Sequence, residues 1–376
     1  LLQRREDGVL LPCMCAAVRL SCNTIHTPAW TLSIDRRSGL WAATQVLDAV
    51  IPRPRKSTPL EVIDRIEKMT WAHRQARNVN VPRSRPRDVP TFDFGPSSRH
   101  RTNPPNLDLS SPALLKGFVN TSNDRITPQW DLSWLSSAPI GEIEVDYSSD
   151  SRAPAIEGGA VPNTRGSIST VVERLENGEP VKTGTEMVFR TFPKMIKELP
   201  LDRLHALFGN GYFSPSRIGT MLTVPFFLSR GPPVDPKRAS ERRTRDTTRT
   251  DFHCEPIANV AIQLEGSKRW LLVAPEDSED LRPVLSEDGR AYFFSKLDPD
   301  DAAIQVVNRY EVLMEPGDVL YLPTWWWHRV DYLPDVTSLT VSLFHVRLAQ
   351  LFFNNPLYSA VVFPNLLKEL IGWKTQ

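Results

Sequence analysis

Seven histidines occur in the chain: His26, His73, His100, His205, His253, His328 and His345. Only His253 has a carboxylate two residues on, in His253-Cys254-Glu255. On a β-strand, side chains at i and i+2 leave the same face, so this pair could grip one metal ion from a single wall. A third ligand must then come from another strand. His328 stands at the head of one, in Trp325-Trp326-Trp327-His328-Arg329-Val330. Two imidazoles and a carboxylate on one side of iron(II) leave positions open for oxygen and a co-substrate. Zinc competes for such a set, but structural zinc takes a closed shell of Cys and His that is absent here. Taken alone the pattern is weak. In a chain with this many histidines a His-x-acid triplet is expected about once by chance, and a His in a Trp-rich strand also reads as a packed core residue.

The elements that would position these residues are short and strand-like. Runs at 221–229, 259–264, 269–274, 310–314, 318–322, 328–332 and 338–344 are apolar or alternating. Glu265-Gly266-Ser267 and Glu315-Pro316-Gly317-Asp318 supply turns between them. Many short strands at this spacing predict a mainly β sandwich or barrel with flanking helices. Upstream, 114–119 reads as a buried strand ending in a turn, and 143–147 as another. Residues 148–167 read as a loop, and helices are expected at 130–135, 168–176 and 192–208. A charged insertion over 232–249 is expected as a surface loop near the barrel mouth. After 350 the chain reads as helical, with Leu366, Leu367, Leu370 and Ile371 on one face that could pack on the barrel or on a second subunit.

Residues 1–90 read as an appendage, 91–350 as the site-bearing domain and 351–376 as a C-terminal helical segment. Within the appendage, Thr58-Pro59-Leu60-Glu61 is a capping box that opens an amphipathic helix over 59–77. Basic, Pro-rich stretches at 52–56 and 82–87 read as solvated linker, or alternatively as a nuclear-import or nucleic-acid patch. A net charge of +1 gives no electrostatic case for nucleic acid or an anionic membrane as the main partner. Four cysteines are too few for a disulfide framework in this length, and Cys13-x-Cys15 lacks a second pair at zinc spacing. A reducing, intracellular setting is the simplest expectation, cytoplasm or nucleus, with an Arg-, Ser- and Thr-rich organelle leader as the alternative. No run of 18 apolar residues occurs that would form a membrane span.

The run Thr250-Asp251-Phe252-His253-Cys254-Glu255, followed by Asn259 and then Gly266-Ser267-Lys268-Arg269-Trp270, resembles the Jumonji-C family (also called cupin-like) of iron(II)- and 2-oxoglutarate-dependent oxygenases. So does Glu315-Pro316-Gly317-Asp318-Val319-Leu320-Tyr321-Leu322-Pro323, leading to Trp327-His328. The pattern is nearest to the protein hydroxylases that include the asparaginyl hydroxylase of hypoxia-inducible factor. It runs from residue 217 to 346, is looser over 105–216 and is absent from 1–90.

The resemblance implies a double-stranded β-helix (cupin or jelly-roll) core. It implies His253, Glu255 and His328 as iron ligands, and Lys268 as the cation for the distal carboxylate of 2-oxoglutarate. Thr250 would assist that carboxylate, and Asn259 would lie near the other end of the co-substrate. A dianion needs a fixed cation, which Lys supplies as a point charge with three donors. The residue-level alternatives are a surface Lys268 beside Arg269 and plain strand roles for Thr250 and Asn259. Trp325, Trp326 and Trp327 read as barrel packing. The sequence departs from the pattern in carrying Glu255 where many hydroxylases have Asp, and Ser342 where the asparaginyl hydroxylase has Asn. The tyrosine usual beside the distal carboxylate is not evident from sequence. The expected activity is hydroxylation of a protein or peptide side chain, with no chromatin-reading module visible. The alternatives are N-methyl-lysine demethylation and a catalytically silent cupin-like binding module. A homodimer through the C-terminal helix is a further expectation.

Overall fold

A computed structural model describes residues 85–95, 97–98, 105–119, 130–148, 164–209, 221–233, 249–286, 291–297, 304 and 307–370. The expected helix over 59–77, the basic stretch at 52–56 and most of the 232–249 insertion lie outside them. In chain order the strands are β1 (Arg87–Asp88), β2 (Thr91–Asp93), β3 (Ala113–Lys116), β4 (Glu144–Tyr147), β5 (Thr164–Ser167), β6 (Lys182–Thr185), β7 (Met221–Thr223), β8 (Phe226–Arg230), β9 (Arg249–Cys254), β10 (Ala258–Glu265), β11 (Lys268–Val273), β12 (Pro283–Leu285), β13 (Phe293–Ser295), β14 (Arg309–Met314), β15 (Val319–Leu322), β16 (Trp327–Tyr332) and β17 (Thr337–His345).

Two large sheets face each other. The first runs β1-β14-β11-β16-β9-β13-β12. The second runs β2-β3-β15-β10-β17-β8-β6, with β7 also paired to β17. From β8 to β11, and again from β14 to β17, successive strands alternate between the sheets. The chain thus coils as a double-stranded β-helix, and the fold is of the cupin or jelly-roll kind. Closing a sandwich this way requires tight reversals, and two glycines serve them. Gly266 (φ +59) brings its Cα so close to Thr337 that an added Cβ would lie 2.0 Å from the carbonyl oxygen. Gly317 (φ +90) turns the chain into β15. The next residue, Asp318, is buried, and its carboxylate accepts the backbone N–H groups of Glu315 and Gly117 at 3.0 and 2.9 Å.

The two faces of the second sheet have separate roles. Val260, Ile262, Leu264, Val319, Tyr321, Leu339, Val341 and Leu343 pack outward against helical residues such as Leu135, Val171, Leu175 and Leu204. Leu114, Ala261, Leu320 and Leu322 point the other way and join Trp270, Leu272, Val312, Met314, Val330 and Tyr332 of the first sheet in an inner core. Strands β10 and β15 are therefore buried on both faces, which is why 259–264 and 318–322 read as apolar runs.

Several expectations needed correction. The single strand expected over 221–229 is two, β7 and β8, interrupted at Val224-Pro225, because proline has no N–H for the ladder. The helix expected over 192–208 is a 3-10 turn, Pro193–Glu198, followed by an α-helix, Leu201–Phe208, with a proline near the start of each. The last four residues of the expected loop at 148–167 form β5, antiparallel to β4. The helix Ile168–Glu176 begins where expected, its N-cap Ser167 accepting the Thr170 N–H at 3.2 Å. After 350 the chain is helical as read, in Leu348–Asn354 and Pro356–Leu370. Leu366 and Leu367 do not share one buried face, however: Leu366 is buried and Leu367 is 48% exposed. Among the described residues no helix is long and apolar enough to cross a membrane.

Candidate metal centre

His253 and His328 are direct partners on neighbouring strands β9 and β16. Val330 and Tyr332 belong to the inner core, so His328 leaves β16 on that same inner face. The two imidazole centroids lie 4.1 Å apart. Each ring is oriented by its own strand. Nδ1 of His253 donates to the Asp251 carbonyl at 2.8 Å, and Nδ1 of His328 donates to the Trp326 carbonyl at 3.1 Å. With Nδ1 protonated in both, Nε2 is left as the lone-pair donor, the tautomer a metal ligand needs. Burial, reinforced by His253 alongside, pushes His328 well below the usual imidazole range, so it is held neutral.

Glu255 completes the set. Ligand atoms of His253, Glu255 and His328 all lie within 4.8 Å of one another, within reach of one shared cation. Glu255 sits one residue beyond the end of β9, not on a regular strand as the i, i+2 argument assumed. Its position is fixed through the backbone instead: its carbonyl accepts the N–H of Trp325 at 3.0 Å. Trp325 holds φ at +71°, a left-handed conformation unfavourable for a bulky side chain. Complete burial and an indole N–H donated to the Leu351 carbonyl at 3.0 Å lock it there. Trp326 lies in the inner core, and Trp327 donates to Ser278 Oγ at 2.8 Å. All three tryptophans are buried packing residues.

Lys268 opens β11 and pairs with Tyr332 of β16, while Leu272 pairs with His328. It therefore shares the inner face with the two ligands on β9 and β16, four residues or about 13 Å further along the sheet. It is 2% exposed, so the reading as a surface lysine is overturned. Its ammonium lies 5.3 Å from the Tyr332 ring centroid and 5.9 Å from that of Phe227. Among the described residues no carboxylate pairs with it, and burial alone pushes its pKa down to about 7.

Thr250 belongs to the same end. Its hydroxyl is 2.9 Å from that of Tyr332. A regular strand would set Thr250 and His253, three residues apart, on opposite faces. Here Val330 pairs with Thr250 while His328 pairs with His253, so β9 carries one extra residue between the two rungs. That bulge returns both side chains to the interior. Tyr332 is the site residue that sequence reasoning missed. Its signal was the even spacing from His328 along one strand, which places 328, 330 and 332 on one face.

Asn259 lies on β10 two residues from Ala261, an inner-core residue, and so also faces inward. It is buried, and its Oδ1 has no hydrogen-bond partner. Ser342 pairs with Ala261 and is buried on the same inner face. The indole N–H of Trp270 is likewise buried and unpartnered, with its ring stacked 5.7 Å from His328. The interior thus holds three convergent ligand atoms at one point, a desolvated amine with a hydroxyl pair further along, and unpaired polar atoms in the wall.

Comparison with known proteins agrees with this architecture. The family model described as "Cupin-like domain" matches residues 110–349. Over 87 residues, 22% of each chain, the sequence is 38% identical to Jumonji C domain-containing protein 5 of Drosophila melanogaster. It is 38% identical over 85 residues to HSPB1-associated protein 1 of Rattus norvegicus, covering 21% of this chain and 18% of that protein. It is 36% identical over 98 residues to tRNA wybutosine-synthesizing protein 4 of Neurospora crassa, covering 25% of this chain and 8% of that protein. These matches span 22% or less of each relative's length. The family model, in contrast, covers well over half of the chain, from just before β3 to just past β17. This chain belongs to the cupin-like, Jumonji-C family.

Proposed function

We propose that the protein is an iron(II)- and 2-oxoglutarate-dependent oxygenase that hydroxylates a side chain of a protein or peptide. One observation carries the reading: His253, Glu255 and His328 converge on a face that also holds Lys268, a buried cation with no carboxylate partner among the described residues. The donor set suits iron(II), since three ligands on one side leave positions free. Bound together, the metal and co-substrate would supply the oxidant, one atom of O2 entering succinate as CO2 leaves and the other entering a C–H bond of the substrate.

The chain's own residues would do the positioning. Lys268 would bind the distal carboxylate, with the Thr250–Tyr332 hydroxyl pair donating to it. The remaining strand distance to the metal is spanned by the co-substrate and the long Lys side chain together. Asn259 would offer a polar contact within the same cavity. The dry wall formed by Trp270, Leu272, Val330 and Leu322 would keep water from the reacting centre.

The substrate class rests on the resemblance of the motifs to the protein hydroxylases of the family. A second reading, a silent barrel, draws on Trp270, whose ring occupies the interior beside His328. Incubation with iron, ascorbate, 2-oxoglutarate and a broad peptide library separates the two. Succinate release together with a one-oxygen mass gain on a peptide is the expected result. Iron-loaded protein that makes neither supports the silent barrel, and demethylated peptide with formaldehyde supports demethylation.

The hydroxyl pair yields a smaller prediction. Tyr332→Phe removes one neutral hydrogen bond, which corresponds to roughly a three- to tenfold rise in KM for 2-oxoglutarate. Metal affinity should stay unchanged. A fall in metal affinity instead would place Tyr332 in support of the ligands.

A further inference from the structure

We propose that Lys182, on the opposite sheet, is a positioning residue for the co-substrate pocket: it pins the backbone of β9 and so aims the Thr250 hydroxyl. This rests on the reading of the pocket given above. Strand β6 is the last strand of the second sheet and pairs with β8, Lys182 opposite Ser229 and Gly184 opposite Phe227, while on its other side Lys182 bridges Ser148. Phe226 and Leu228 belong to the outer core, so Phe227, Ser229, Gly184 and Lys182 face inward. Phe227 is the ring that lies 5.9 Å from the Lys268 ammonium, which places this corner of the second sheet against the proposed carboxylate site.

From there the Lys182 amine donates to the Arg249 carbonyl of β9 at 3.0 Å. No ladder joins β6 to β9, which belong to different sheets, so this bond ties the two sheets together at this end. Arg249 immediately precedes Thr250, whose hydroxyl meets Tyr332 at 2.9 Å. The tie falls where β9 needs one, because the bulge between Thr250 and His253 disrupts its ladder with β16. Desolvation pushes the amine down to about 8; the Asp251 carboxylate opposes this and Arg249 adds to it. Beside it the Ser229 hydroxyl is buried without a partner.

The variant Lys182→Met keeps the stem and deletes the donor. Two measurements are made on it. Hydrogen exchange of the metal-free protein should quicken about tenfold at the amides of 249–253 and stay unchanged in β10 and β17. Equilibrium dialysis of 2-oxoglutarate against protein loaded with Mn(II), a redox-silent stand-in, should show affinity about tenfold weaker with Mn(II) affinity unchanged. Lys182→Arg should restore part of both. If the amine acts through Thr250, the double variant Lys182→Met/Thr250→Val should bind no more weakly than Thr250→Val alone. Unchanged exchange in β9 overturns the pin, and additive losses in the double variant overturn its action through Thr250. Unmodified protein that binds no 2-oxoglutarate overturns the functional reading and the co-substrate role together. The exchange measurement still decides the pin in that case.

Discussion

Replacing Glu255 by Ala should lower iron(II) affinity roughly 100-fold or more and abolish 2-oxoglutarate turnover, with the unfolding temperature of the metal-free protein unchanged. An imidazole that binds metal through Nε2 and gives its Nδ1–H to a backbone carbonyl is an uncharged ligand, so the carboxylate brings the only negative charge of the ligand set. Its removal leaves two neutral donors for a dication. The fold should not register the loss. Glu255 is partly exposed, lies past the end of β9, and anchors Trp325 through its backbone carbonyl, which Ala retains. His253→Ala should cost as much in metal affinity, with a larger structural effect, since its ring packs 6.2 Å from Phe294. Isothermal titration with Mn(II) and a thermal melt on the same samples check both. A Glu255→Ala protein that melts earlier yet binds metal as before would make Glu255 a structural carboxylate.

Lys268→Met should weaken 2-oxoglutarate binding about 100-fold while making the metal-free protein more stable at neutral pH. The amine is buried without an anion, and burial takes its pKa from 10.5 to about 7. The unfolded chain therefore binds the proton more tightly than the folded one. Stability due to this group rises as pH climbs from about 7 toward 10.5, and the full penalty applies below about 7. At pH 7 the penalty is on the order of 4 kcal/mol at most, at about 1.4 kcal/mol per tenfold change in proton affinity. Methionine removes it, so the unfolding temperature should rise by several degrees at pH 7 and by much less near pH 10. Binding has its own pH signature. The dianion needs the ammonium form, so in the unmodified protein affinity should be flat below pH 7 and weaken up to tenfold per pH unit above it. In Lys268→Met that slope should vanish. Equal losses of metal and co-substrate affinity would instead make Lys268 a structural residue.

Much of this was legible in the sequence because the relevant signals are local. The Glu315-Pro316-Gly317-Asp318 turn announces itself, since Gly317 needs positive φ and Asp318 closes the turn on the Glu315 N–H. Strands such as β10 and β15, buried on both faces, stand out as apolar runs. The triad could be named because His253 and His328 sit in recognisable contexts, and the structure brings both together with Glu255.

What escaped the sequence depends on the third dimension. Strand β9, with Arg249, Thr250 and Asp251 in its first half, has no hydrophobic alternation, because its inner face is given to chemistry. Its bulge reverses the facing of Thr250, and no local rule predicts where a ladder will gain a residue. Tyr332 looked like an ordinary strand residue until its hydroxyl was found against Thr250. Lys182 sits in a short, polar edge strand, Lys-Thr-Gly-Thr, that carries no strand signature; only the pairing with β8 and the reach to Arg249 give it meaning.

The central claim is that His253, Glu255 and His328 together hold one iron(II) to which 2-oxoglutarate can bind. Anaerobic titration of iron(II) and 2-oxoglutarate into the protein, followed by visible absorption, tests it most directly, since a 2-oxo acid bound to iron(II) through its oxo and carboxylate groups gives a charge-transfer band. The expected band saturates at one iron per chain, is lost in Glu255→Ala and His328→Ala, and needs far more 2-oxoglutarate in Lys268→Met. No band at saturating iron and co-substrate, or a band that survives unchanged in Glu255→Ala, would contradict it.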